Sequence, residues 1–159
     1  ILHYIDERHG QLFPRHGEND VQDEWMAFSD NILGKSIVAV IYQNYRTSLH
    51  ALDYVTKVDK FRLKDRIISK WIGAIVMKMV GRSRAKMFEE PPRQNLSTQL
   101  NSMTTGIDGD FFGGTTPNGA DYANYGILRS MQGLNGFDIV ENHQIIWPWY
   151  SRMQLHSSL

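Results

Sequence analysis

Asn118-Gly-Ala-Asp121 carries the most definite chemistry in this 159-residue chain. Asn is a favoured helix N-cap, and an acidic side chain three residues on can reach back to the cap's own N–H. Asp stands where the usual box has Glu or Gln, so the pair reads as a helix-start device rather than a catalytic couple. Other candidates are weaker. His3, His9 and His16 lie six and seven residues apart, unlike the spacing of common metal sites. Asp108-Gly-Asp110 begins like a calcium loop, but the later acidic ligands are missing, which leaves a turn. Gly113-Gly-Thr-Thr-Pro-Asn-Gly119 has glycines without a following Gly-Lys-Ser/Thr, so it is no phosphate loop. No metal site is expected.

The chain has no cysteine. Within these residues that excludes a disulfide scaffold, thiolate zinc sites, thiol nucleophiles and Cys-x-x-Cys redox chemistry. Seventeen basic residues balance seventeen acidic ones, leaving no net charge to attract nucleic acid, and no nucleic-acid partner is expected. The balance hides a segregation. Lys57 to Lys86 holds ten cations against Asp59 and Asp65, while Ile1 to Asn31 holds seven acids against Arg8 and Arg15. One reading is a solvated helix face with self-complementary packing. The other is docking to an acidic protein partner or anionic membrane headgroups, with Arg82, Arg84 and Lys86 at or beside the contact.

The elements that must position these residues read as helices. His9 to Asp20 is loop-like, and from Val21 the spacing of Trp25, Phe28 and Ile32 is helical. Gly34 is expected to weaken or bend that helix before the β-branched run Ser36–Tyr45, which reads as helix because nothing nearby supplies a second strand. Leu49, Leu52, Val55 and Val58 form another stripe. Leu63, Ile67, Trp71, Ile75 and Met79 step by four, predicting a long helix that ends near Gly81. Glu89-Glu90-Pro91-Pro92 reads as a hinge. Leu96, Leu100 and Met103 mark a polar amphipathic helix, and Asn118 starts one running through Met131. Phe137–Asn142 makes a short helical turn, and a last helix starts at Trp147-Pro148-Trp149, where the aromatics pack it onto the bundle. The expected class is all-α, a bundle of six or seven helices, with residues 1–20 a helix remnant and loop and 21–159 the helical domain. The apolar run Ile67–Val80 is interrupted by Lys70 and Lys78 and is too short for the roughly 20 residues a spanning helix needs.

The run GGTTPNGADYANYGILRSMQGLNGFDIV, followed by IIWPWYSRM, resembles the C-terminal helical domain of glutathione-transferase-like proteins. Adding NYRTSLHALDYV and KWIGAIVMKMV, the resemblance narrows to the prostaglandin E synthase type 2 family, over about Glu24 to Met153 in colinear order. It implies a buried Asp in a capped helix at the folding core of the domain. It also implies a thioredoxin-like domain with a Cys-x-x-Cys-type motif ahead of the helical one, absent or truncated here, and a hydrophobic pocket walled by the helical part. Under it, Tyr42, Tyr45 and Arg46 would face that pocket, and Lys35 stands about where the family can carry a histidine near the ligand.

Two functions from different classes follow. The first is a non-catalytic scaffold or accessory subunit of a larger assembly, expected to be mitochondrial, whose partners are other protein subunits or a homodimer mate. The second is the C-terminal half of a glutathione-dependent isomerase resembling that family. No cofactor is expected in the first case; glutathione is expected in the second.

Overall fold

The computed structural model describes residues 19–44, 46 and 63–157, with side chains described from 21 to 44, at 46, and from 72 to 157. The three histidines His3, His9 and His16, the Leu49–Val58 stripe and Tyr45 lie outside the described residues. Helix α1, Asn19–Phe28, is followed by a π-helical turn, Ser29–Leu33, and by α2, Gly34–Ile41. Then come α3, Leu63–Ala85; α4, Pro92–Thr104; α5, Gly119–Arg129; α6, Phe137–Glu141; and α7, Ile146–His156. The architecture is an all-α bundle, and among the described residues the only extended pairing is two isolated bridges, Asp108–Phe111 and Phe111–Gly114.

Local chemistry accounts for the joints. Just before Gly34, where the sequence leads one to expect a weakened or bent helix, the chain takes a π turn in which the Gly34 N–H donates to the Ser29 carbonyl five residues back. The β-branched run forms α2 because it is sunk in the core: Ile37, Ala39, Val40 and Ile41 are all buried. Buried Ser36 donates to Asn95 Oδ1 at 2.6 Å, tying α2 to α4. Pro92 opens α4 at a position where its missing N–H costs nothing. The core is built from Leu33, Val40, Leu96, Leu100, Met103, Leu128, Ile146, Trp149 and Met153, none with any exposed surface. Each such side chain contributes roughly 1.5–3 kcal/mol by leaving water.

Two expected boundaries move. Helix α3 does not end near Gly81 but runs on to Ala85. Gly81 is buried where α3 crosses the end of α2, and a Cβ there would stand 2.7 Å from the Tyr42 carbonyl oxygen. The glycine is required by close packing, not by a left-handed cap. Helix α5 ends at Arg129, so Met131 follows it, with its N–H turned back to the Leu128 carbonyl. Gly133, at φ +76°, then turns the chain toward α6. Among the described residues no helix is long and apolar enough to cross a membrane.

Candidate functional site

Asp121 is completely buried and sits in the first turn of α5. Its Oδ2 accepts from the Asn118 N–H at 2.9 Å and the Gly113 N–H at 3.3 Å. Its Oδ1 accepts from the Phe112 N–H at 3.0 Å and from Trp149 Nε1 at 2.8 Å. Asn118 Oδ1 accepts in turn from the N–H groups of Ala120 and Asp121, so both halves of the capping box are present. Burial pushes the Asp121 pKa above its usual 3.8, while the hydrogen bonds from Asn118, Trp149, Phe112 and Gly113 pull it down. Four donors converge on an acceptor-only group, which suits the ionised carboxylate and leaves it little capacity for a substrate. The motif thus pins three elements together: the 112–113 loop, the start of α5 and the middle of α7.

Around this hub the aromatics interlock. Phe112 meets Trp25 at 5.3 Å between ring centroids and Trp149 at 6.0 Å. Asn124 Nδ2 donates to the carbonyls of Trp25 and Ala120, anchoring α1 to α5. Asn124 Oδ1 and the Tyr150 hydroxyl are buried without a hydrogen-bond partner. Burial raises the Tyr150 pKa above 10.0, with Tyr125 and Glu141 adding to the rise and Arg129 opposing it.

Open clefts among the described residues include two on the surface of the bundle. One, about 410 Å³, is lined by Asp110, Phe111, Thr115, Arg152, Leu155 and His156. Its cation is already engaged: Arg152 donates to the Asp110 carbonyl through Nε and Nη2 at 3.2 and 2.9 Å, and lies 5.8 Å over the Phe111 ring. The other, about 510 Å³, follows the chain from Gln132 to Phe137 and takes in Asp138 and Glu141, with Asp138 paired to Arg93. Among the described residues, no hydrogen bond joins a hydroxyl to a histidine or carboxylate within either cleft. Among the described residues no three His, Asp or Glu side chains are grouped to hold a metal ion.

The residues suggested for a pocket wall are not gathered at either cleft. Tyr42 is half-buried at the C-terminus of α2, Arg46 is exposed, and Lys35 is half-buried in α2. The suggested docking residues follow one another in the chain at the end of α3. Arg82 and Arg84 are exposed in the last turn of α3, and exposed Lys86 follows, its N–H still bonded to the Arg82 carbonyl at 3.2 Å. Sequence reasoning missed the polar roles of two residues. Trp149 is a hydrogen-bond donor as well as packing, a role signalled only by the rule that a buried indole N–H needs an acceptor. His143 caps α7: its Nδ1 accepts from the N–H groups of Ile145 and Ile146, both at 3.3 Å.

An all-α bundle with a capped helix on a buried Asp at its centre defines a helical domain of the kind expected from the glutathione-transferase-like resemblance. No family model matches the sequence. Individual relatives do: prostaglandin E synthase 2 of Mus musculus is 32% identical over 158 residues, covering 94% of this chain and 40% of the relative. Prostaglandin E synthase 2 of Danio rerio is 32% identical over 149 residues, covering 91% and 39%. The chain is therefore similar to part of prostaglandin E synthase 2 across nearly all its own length, and it spans about two fifths of the length of the curated relatives it matches.

Proposed function

We propose that this chain is a non-catalytic helical domain, similar to part of prostaglandin E synthase 2, that works as a scaffold or accessory subunit of a larger mitochondrial assembly. The observation that supports it best is the surface of α3, where Ile72, Ile75, Val76 and Met79 are exposed, Arg82 and Arg84 stand in the last turn, and Lys86 follows just after the helix. Such a face suits contact and offers no chemistry. The sequence supplies no thiol, and the buried carboxylate is saturated by its four donors. Two measurements test the reading. The purified chain, given glutathione with an endoperoxide or an aryl halide, should turn over no faster than a heat-killed control. Replacing Arg82, Arg84 and Lys86 with Glu should abolish co-purification with larger partners from a mitochondrial fraction at unchanged thermal stability. Lost stability with retained association would instead mean that these cations pair internally.

A second reading is favoured by the names of the relatives and by the two fifths of their length that is matched. In it the chain is the helical portion of a glutathione-dependent prostaglandin E synthase-like isomerase, and glutathione is the cofactor. An upstream thioredoxin-like domain with a Cys-x-x-Cys motif in the same transcript would decide for it.

A further inference from the structure

The sequence holds two Asn-Gly pairs, Asn118-Gly119 and Asn135-Gly136. In such a pair the glycine nitrogen can attack the asparagine side chain, because no Cβ on the glycine stands in the way. The structure treats the two pairs differently. Asn118 Oδ1 is held by the N–H groups of Ala120 and Asp121, and the chain beyond it is helix α5. Asn135 lies half-buried in the turn before α6, its Nδ2 donating to the Val40 carbonyl at 2.9 Å. Gly136, at φ +93°, has no hydrogen-bond acceptor for its N–H among the described residues. Both residues line the open cleft that runs from Gln132 to Glu141, so the pair is within reach of solvent.

We propose that Asn135-Gly136 is a self-modification site whose conversion to a carboxylate unfastens α2 from this turn. The Gly136 nitrogen bonds to Asn135 Cγ, the Cγ–Nδ2 bond breaks, and ammonia leaves with the proton of the Gly136 N–H. Water then opens the succinimide ring at either carbonyl, giving aspartate or isoaspartate at this position. No other reactant is needed. The product is wrong for its place. A donor to the Val40 carbonyl becomes an acceptor facing an acceptor, at a residue with no exposed surface. Val40 stands in the last turn of α2, where the carbonyls form the negative end of the helix dipole. The charged groups lining the cleft are Asp138 and Glu141, both acids. Arg93 is already paired with Asp138, and α2 carries only Lys35, more than a turn away. The turn also packs tightly: a Cβ on Gly136 would overlap Val40 Cγ1, so the new charge stays beside α2. Conversion at Asn118 is silent by contrast, because Asp caps a helix as well as Asn does.

Arg129 separates the two pairs, so trypsin places them on different peptides. After the folded 159-residue chain is held at mildly alkaline pH, mass spectrometry of the digest should show amide-to-acid conversion about tenfold faster at Asn135 than at Asn118, which must open an extra hydrogen bond and a helix start. In urea the two should convert alike. Asn135→Asp, which carries the product side chain, should melt roughly 2–10 °C below the unmodified chain at pH 7.5. Asn135→Ala, which loses the donor without gaining a charge, should melt between them. The gap between the Asp and Ala variants should close below about pH 3.9, where an ordinary Asp carboxyl is protonated and able to donate to the Val40 carbonyl. Asn118→Asp should melt with the unmodified chain. No conversion at Asn135, or conversion at Asn118 just as fast, would overturn the proposal. So would an Asn135→Asp chain as stable as the unmodified one, or a gap that persists on acidification.

Discussion

Trp149 hands its indole N–H to Asp121 Oδ1 at 2.8 Å, joining α7 to the first turn of α5 across 28 residues of chain. Because the same carboxylate also holds three backbone N–H groups, the Asp121 side chain is worth more than an ordinary cap. Asn118→Ala should cost roughly 0.5–2 kcal/mol, the usual loss for a cap. Asp121→Ala should cost more, about 3 kcal/mol or above, since it orphans several buried donors at about 1–3 kcal/mol apiece. The two losses should be non-additive, each residue completing the other's half of the box. Urea denaturation of both single variants and the double variant checks this; simple additivity would sink the box as a cooperative unit.

Trp149→Phe separates the indole N–H from the ring. It keeps an aromatic against Phe112 but removes one of the hydrogen bonds that hold the Asp121 pKa down. The folded-state pKa of Asp121 lies above 3.8, so its contribution is fully present below 3.8 and lost as pH rises through the folded value. Losing the indole donor raises that value further and enlarges the loss. The variant should therefore be more destabilised, relative to the unmodified chain, at pH 7 than below pH 3.8. Equal destabilisation at both pH values would mean that Trp149 acts by packing alone.

Two helical glycines should respond to alanine with opposite signs. At Gly126, on the exposed side of α5, an added Cβ meets nothing within 4 Å. Gly126→Ala should stabilise by up to about 1 kcal/mol through helix propensity. At Gly81 the same gain is opposed by a Cβ 2.7 Å from a backbone oxygen that cannot swing away. Overpacking costs roughly 1–3 kcal/mol, so Gly81→Ala should be net destabilising. Thermal unfolding of the two variants gives the signs directly.

What the sequence disclosed, and what it hid, differ by physical range. The Asn118 and Asp121 spacing is local, and local rules suffice to place a helix start there. The helical reading of Ile37–Ile41 needed only the lack of a partner strand. Gly81 was misjudged because a glycine near a helix end has two explanations, and only the position of Tyr42 on another helix distinguishes them. The four-residue step of Ile75 and Met79 established a helix but not which of its faces the bundle covers, and the covered face uses Ala74 and Gly81. Trp149 and His143 act through partners fixed by tertiary placement, which no spacing rule reaches.

His143 supplies a pH test independent of Asp121. Its Nδ1 accepts from two backbone N–H groups at the start of α7, so the ring proton sits on Nε2 and is donated to Asn101 Oδ1 at 3.1 Å. Protonating Nδ1 would replace that acceptor with a donor and set a cation beside the positive end of a helix. Burial lowers the pKa below the usual 6.5 for the same neutral form. A depressed folded-state value means the contribution is present above 6.5 and is lost as pH falls through the folded pKa. The α7 cap should accordingly weaken on mild acidification, and His143→Ala should flatten that part of the stability–pH profile while lowering stability at pH 7.5. An NMR titration placing the His143 pKa at or above 6.5 would overturn the assignment. So would a His143→Ala variant whose stability falls as steeply between pH 7.5 and 5 as that of the unmodified chain.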